Sequence, residues 1–296
     1  QQQIFSQGST VKVKQHAYYI QDSWNITDNF IGYFGLRWDT FENLNGNGES
    51  YVKISNQFGP RLGFSWDVFG DSTFKVFGNA GRYALPLTPS VAVRGASASL
   101  FSREDFNFTS VGGTVDPVTG VPLDVNGNEF VSRGPESRGT FRYLNSEDGR
   151  GKNPVTIASK NLDPMYQDEY ILGFQKMLTD HFSLGIRGIY RDLKQAIDDN
   201  CDYTAVLDAN GYSYDPDVGA FTNSNGDVAV LPNPGFPYCR MFNPGSDAVF
   251  VTDINDNGNL VTNTIPGARL SPKAKRTYTA MEFFVAHREA LAALAR

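Results

Sequence analysis

Residues 57–82 read QFGPRLGFSWDVFGDSTFKVFGNAGR, and their parity decides the fold. Phe58, Pro60, Leu62, Phe64, Trp66 and Val68 fall on one side of an extended chain, while Gln57, Gly59, Arg61, Gly63, Ser65 and Asp67 fall on the other. Successive side chains of a strand point to opposite faces, so this stretch has one apolar, aromatic face and one polar face. Gly70-Asp71 then supplies a tight turn, and Phe74, Val76, Gly78 and Ala80 begin a strand running back. A strand of a soluble sandwich alternates over about five or six residues. Here the alternation runs about twice as long, near the roughly 9–11 residues a tilted strand needs to cross a bilayer. Phe58, Leu62, Phe64 and Trp66 are therefore expected to face lipid.

Composition agrees. The 296 residues are 40% hydrophobic and 13% aromatic, yet no run of about 18 apolar residues occurs, which excludes helical membrane spans. A membrane barrel hides its hydrophobicity in alternation, so a negative mean hydropathy is no objection. The net charge of −6 and the lack of a basic stripe argue against a nucleic-acid partner. The opening QQQIFSQGST has neither a basic nor an apolar segment of the kind a signal peptide carries.

Outward from the central hairpin the same rhythm continues. Residues 11–24 form a first strand, 25–29 a short polar turn, 30–41 a return strand and 43–50 a loop of turn residues. A long irregular stretch spans about 85–163; strands resume at 166–176 and 182–191 around a short turn, a second long loop covers about 198–270, and a last alternating stretch runs 273–284. Every other connection is tight, so tight turns gather at one end of the sheet and long loops at the other. Outer-membrane barrels segregate their connections this way, whereas a β-sandwich or jelly roll has no reason to. The expected fold is all-β: antiparallel transmembrane β-barrel strands, a partial, open sheet of about seven, with long extracellular loops. Asp-Val-Asn-Gly at 124–127 and Asp-Ala-Asn-Gly at 208–211 each suit a small hairpin decorating a loop.

In their order, YYIQDSW and GYFGLRWD (within 18–39), GPRLGFSWD (59–67), GRY (81–83), YQDEYILGFQK (166–176) and RTYTAMEF (276–283) resemble the barrel strands of TonB-dependent outer-membrane receptors, nearest to the Oar-like subgroup. The resemblance covers the strands between about 15 and 284; the long loops match nothing nameable. It implies an outer-membrane location in a Gram-negative cell, and a parent that takes up a scarce extracellular ligand with energy transmitted by TonB. The alternative is a non-transporting adhesion or binding barrel that displays its loops. The family's barrel has 22 strands around a plug, so this chain is expected to need outer-membrane lipid and the missing strands and plug as partners. Residues 1–284 are assigned to the barrel. The Ala/Leu-rich 285–296 depart from the family's pattern and are expected to form a short, divergent helical tail.

Catalytic chemistry has no foothold. His16, His181 and His287 fall in a strand, a turn and the tail, and no HExxH, CxxC, GxSxG, Walker or GxGxxG spacing occurs, so neither an enzyme nor a cofactor or metal is expected. Residues 253–258 (DINDNG) echo a calcium loop, but position twelve is Thr264, and an Asx-rich turn is the favoured reading. Arg37, Asp39, Arg61, Asp67, Arg187 and Glu282 lie on polar parity and are expected to face the lumen, either as charge pairs holding register or as contacts to plug or substrate. Trp24, Trp38 and Trp66 suit an interfacial girdle. Cys201 and Cys239 lie in the second long loop, on the oxidising exterior, within a segment expected to have little apolar material to order it. A disulfide between them is expected; two unpaired thiols are the other reading.

Overall fold

The computed structural model describes residues 2–6, 10–45, 47–87, 98–105, 140–229, 239–255 and 257–287, with a few isolated positions between them. In chain order the elements are β1 (Gln2–Ser6), β2 (Lys12–Thr27), β3 (Phe30–Leu44), β4 (Ser50–Asp67), β5 (Phe74–Ala84), β6 (Leu100–Asp105), β7 (Thr140–Asp148), β8 (Tyr166–Met177), β9 (Phe182–Gln195) and β10 (Asp198–Asn200). There follow α1 (Thr204–Ala209), β11 (Ser213–Asp215), β12 (Ala220–Thr222), β13 (Arg240–Phe242), β14 (Ala248–Asp253), β15 (Leu260–Ile265) and β16 (Thr277–His287).

The main sheet has seven antiparallel strands in the order β2-β3-β4-β5-β8-β9-β16, a meander in which each long strand pairs with the next. It is an open sheet, with β2 and β16 as its edges. Alternation sets the faces and the turns set the register. The β4–β5 turn is longer than Gly70-Asp71 alone. Val68 N–H donates to the Phe74 carbonyl, Gly70 and Ser72 adopt positive φ, and the Asp67 carboxylate accepts from the Gly70 and Ser72 N–H groups. The Asp67 N–H and carbonyl also bond to Asn29, which ties the β2–β3 turn to the same end.

The strands outrun their expected limits. β3 and β4 close the 43–50 loop to a turn over 45–49, where Asn45 Oδ1 accepts from the Asn47 and Glu49 N–H groups. The reason is packing: the early part of β4 buries Tyr51, Val52 and Ile54 against Ile157 and Met241 from the long loops. At the other end of the chain β16 reaches His287, so residues 285–287 are strand where a tail was expected. The helical reading of 288–296 lies outside the described residues, as does the hairpin expected at 124–127, apart from Gly127.

The second long loop corrects two expectations. Residues 208–211 end a helix and do not turn a hairpin: α1 closes with the Tyr212 N–H donating to the Leu207 carbonyl and Gly211 at φ +79°, a helix stop that needs a residue tolerant of the left-handed region. Nor is the loop short of apolar material. Ala205, Val206, Phe242, Ala248, Phe250 and Ile265 form one buried cluster, and Tyr203, Leu207, Tyr212 and Ile254 another.

Candidate functional site

Directly opposed residues of antiparallel strands share a face, so the register sorts every side chain of the main sheet. Phe58, Leu62, Phe64 and Trp66 oppose Trp38, Phe34, Gly32 and Phe30 on β3, and Leu62, Phe64 and Trp66 oppose Ala80, Gly78 and Val76 on β5. The row continues through Tyr170, Leu172 and Phe174 on β8, Tyr190, Gly188 and Ile186 on β9, and Thr279, Met281 and Phe283 on β16. Leu62, Leu172, Met281 and Phe283 are all more than half exposed, a density of uncovered apolar side chains that water does not favour. Trp24 and Trp66 stand toward the tight-turn end of this face and Trp38 toward the long-loop end. Above Ala80, Tyr170 and Tyr190 the apolar face ends in ion pairs, Arg82 with Asp168 (2.8 and 3.1 Å) and Lys194 with Asp192. Asp22 is the exception within the belt; it accepts from its own neighbours, the Ser23 N–H at 2.8 Å and Trp24 Nε1 at 2.5 Å.

The opposite face holds all six polar residues singled out from the sequence. Arg37 makes a two-pronged contact with Asp39, Nε–Oδ2 2.8 Å and Nη2–Oδ1 3.0 Å. Arg187 donates from Nε to Glu282 Oε2 at 2.6 Å across the β9–β16 pair. Asp67 caps its turn, and Arg61 stands over the Tyr83 ring at 4.7 Å. One further pair escaped the sequence reading, Arg191 with Glu169. Its signal was present: with Met177 opposite Ser183, counting back along the hairpin brings 169 opposite 191. Aromatic rings cover several glycines on this face; Cβ atoms at Gly63 and Gly185 would overlap the rings of Tyr33 and Phe284.

Beyond the sheet, Cys201 and Cys239 are joined in a disulfide, their Cα atoms 4.1 Å apart, at the position that continues the β10–β13 pairing past Asn200–Arg240. Beside it Arg240 is buried between the rings of Tyr203 and Phe250, 4.0 and 4.1 Å away, and Nη2 donates to the Asp202 carbonyl at 3.1 Å. Burial pushes the Arg240 guanidinium's pKa down and the Tyr203 hydroxyl's up. The Asp253 carboxylate accepts from the Asn257 and Gly258 N–H groups, so it closes the β14–β15 turn as an Asx cap.

A sheet with a continuous apolar face, an ion-paired polar face and segregated turns is the wall of a membrane barrel, and residues 3–229 match the family model for the TonB dependent receptor-like β-barrel. The chain belongs to the TonB-dependent receptor β-barrel family. The chain is also similar to the TonB-dependent transporter Oar of Myxococcus xanthus, 24% identical over 192 residues, which is 61% of this chain and 17% of that protein. The chain thus spans about a sixth of the curated relative it matches. Among solved structures it is similar to the siderophore receptor PirA from Acinetobacter baumannii, at 12% identity and a TM-score of 0.39, covering 92% of this chain and 25% of that one. It is also similar to FpvAI in complex with pyocin S2, at 12% identity and a TM-score of 0.38, covering 94% and 24%. The family comprises outer-membrane receptors and transporters, not enzymes.

Proposed function

We propose that this sheet is part of the wall of an outer-membrane receptor, its Leu62 face against lipid and its Arg61 face toward the lumen. The parent receptor takes up a scarce extracellular ligand with energy transmitted by TonB. One observation supports this above the others: a single register runs the apolar row across all seven strands on one face and puts the Arg37–Asp39 and Arg187–Glu282 pairs on the other, with Arg82–Asp168 and Lys194–Asp192 entering the apolar face past Ala80 and Tyr190. A soluble protein has no use for so wide an uncovered apolar face, whereas lipid covers it without cost. The remaining partners are the strands that pair with the edges of β2 and β16 and the plug that fills the lumen. The packed loop unit over α1 and β10–β15 favours a second reading, a barrel that displays its loops for binding without transport.

A lipid-soluble photoreactive carbene in outer-membrane vesicles tests the faces. Leu62, Phe64, Leu172 and Met281 become labelled and Arg61, Asp67 and Glu282 do not; the reverse pattern refutes the arrangement. Uptake assayed in cells with and without TonB separates transport from display.

A further inference from the structure

Gly188 is a glycine that its own surroundings do not require. It lies inside β9 on the apolar face, exposed, and its φ is not in the left-handed region. A Cβ added there would meet nothing nearer than the Leu172 carbonyl oxygen at 3.9 Å. Every other glycine of the seven strands has an atom within 3.6 Å of that position, and the Tyr33, Phe77 and Phe284 rings crowd Gly63, Gly173 and Gly185. A glycine inside a strand weakens it, and often marks a place where something else comes close.

Around Gly188 the apolar face is hollowed into a trough of about 700 Å³. The trough crosses β4, β5, β8, β9 and β16 between two rows of side chains. Leu62, Tyr170 and Tyr190 stand on its long-loop side; Phe64, Leu172 and Met281 stand on its tight-turn side. Five strands at about 4.8 Å spacing make it about 19 Å long. Gly78 and Gly188 interrupt the tight-turn row, and the Phe64 ring folds over Gly78 while Gly188 stays open. Beyond Tyr170 and Tyr190 come the paired charges Arg82–Asp168 and Lys194–Asp192.

Lipid tails are as apolar as leucine, so covering this face in a membrane supplies no hydrophobic gain, and a preferred occupant has to be held by packing. A trough offers that packing, because a chain lying in it touches both rows and the floor at once. An apolar trough bordered by paired charges is complementary to an amphiphile, its chain in the trough and its head group beside Arg82 and Lys194. We propose that the trough over Gly188 is a lipid site on the outer wall of the barrel, holding one acyl chain of an outer-membrane lipid. The inference rests on the proposed reading of the Leu62 face as lipid-facing, and it adds a fixed lipid to a face that otherwise meets exchanging ones.

Photolabelling of the assembled receptor tests it. The vesicles are phosphatidylethanolamine and phosphatidylglycerol with a trace of phosphatidylcholine carrying a diazirine midway along one acyl chain, and adducts are mapped by mass spectrometry. Adducts at Leu172 and Met281 are expected to exceed those at Trp24 and Phe34, which lie in the same two rows outside the trough, about fivefold, equivalent to about 1 kcal/mol. Gly188→Leu fills the trough and is expected to abolish the excess; Val285→Phe adds bulk to the same face outside it and is expected to leave the excess unchanged. Even labelling of the four positions, or an excess that survives Gly188→Leu, overturns the site. A second measurement needs no variant: as the probe fraction rises, adducts in the trough are expected to saturate while those at Trp24 and Phe34 grow in proportion. Proportional growth at all four overturns the site. A trough left unlabelled while Trp24 and Phe34 are labelled overturns it too, and assigns the trough to another protein. In each of these cases lipid still labels the apolar face, so only this proposal falls; labelling of the Arg61 face instead refutes the lipid-facing reading, and the site with it.

Discussion

Leu62 and Gly63 are adjacent in the chain and belong to different environments. Leu62 is 55% exposed on the apolar face, opposite Phe34 and Ala80. Leu62→Arg is expected to destabilise the assembled receptor by about 2–4 kcal/mol if the residue lies near mid-bilayer, and less toward either interface. Urea titration in lipid vesicles, followed by tryptophan fluorescence, measures it; an unchanged midpoint removes Leu62 from the lipid. Gly63 lies beneath the Tyr33 ring. Gly63→Ala forces that ring off the sheet and is expected to cost about 1 kcal/mol, the scale of one aromatic contact. In a Tyr33→Ala background the same substitution has nothing to displace, so the two effects are expected to be non-additive in a double-mutant cycle. Simple additivity would show that the ring does not cover Gly63.

At the scale of elements, the long loops behave as a packed unit with its own clusters. The Cys201–Cys239 disulfide closes a ring of 38 residues in sequence separation. Because α1 and the Phe250 cluster also hold that ring, its reduction is expected to loosen the segment without melting the sheet. Native proteolysis with and without reductant checks this: new cuts between 201 and 239, with unchanged far-ultraviolet circular dichroism, are the expected result. The loop-closure model assigns such a cross-link roughly 4 kcal/mol, chiefly through the unfolded chain. Lys152, in the first long loop, supplies a pH dependence. Burial pushes its ammonium down to about 7, against the opposing pull of Glu147. In the unfolded chain a lysine holds its proton to about pH 10.4. Between these values the unfolded state binds more protons, so loop stability is expected to rise with pH from about 7 toward 10. Urea midpoints read by near-ultraviolet circular dichroism across that range test the slope, and Lys152→Met is expected to flatten it.

For the whole molecule, the two edges of the main sheet govern behaviour. β2 and β16 each leave a row of backbone N–H and C=O groups unpaired, which in hydrocarbon costs several kcal/mol per group. The chain alone is therefore expected not to close. Reconstituted in liposomes it is expected to show no ligand-gated uptake and no heat-resistant, compact band in electrophoresis. A stable small barrel formed by this chain alone would contradict an open seven-stranded sheet.

The seven long strands, their meander order and the two faces were legible before any coordinates, because alternation is local and the pairing of neighbours follows from short turns. The side of the sheet on which Phe58, Leu62, Arg61 and Asp67 fall needed only parity. What escaped the sequence is non-local. Residues 208–211 carry the Asn-Gly signal of a hairpin, yet Ala205, Val206 and Leu207 just before it are drawn into a helix by contacts with Phe242, Phe250 and Ile254, up to about 50 residues further along. β4 extends back to Ser50 because Ile157 and Met241 cover Tyr51 and Val52. Some of the arginines' partners were hidden too. Arg82 meets Asp168 across 86 residues, and nothing in either neighbourhood announces it. Arg61 and Arg187 look alike in sequence, each on polar parity in a strand, whereas Arg37 has its acid two residues on, at Asp39. Only the register across neighbouring strands reveals that Arg187 faces Glu282 and that Arg61 faces glycines, since a strand fixes which face a charge occupies but not what the next strand places beside it.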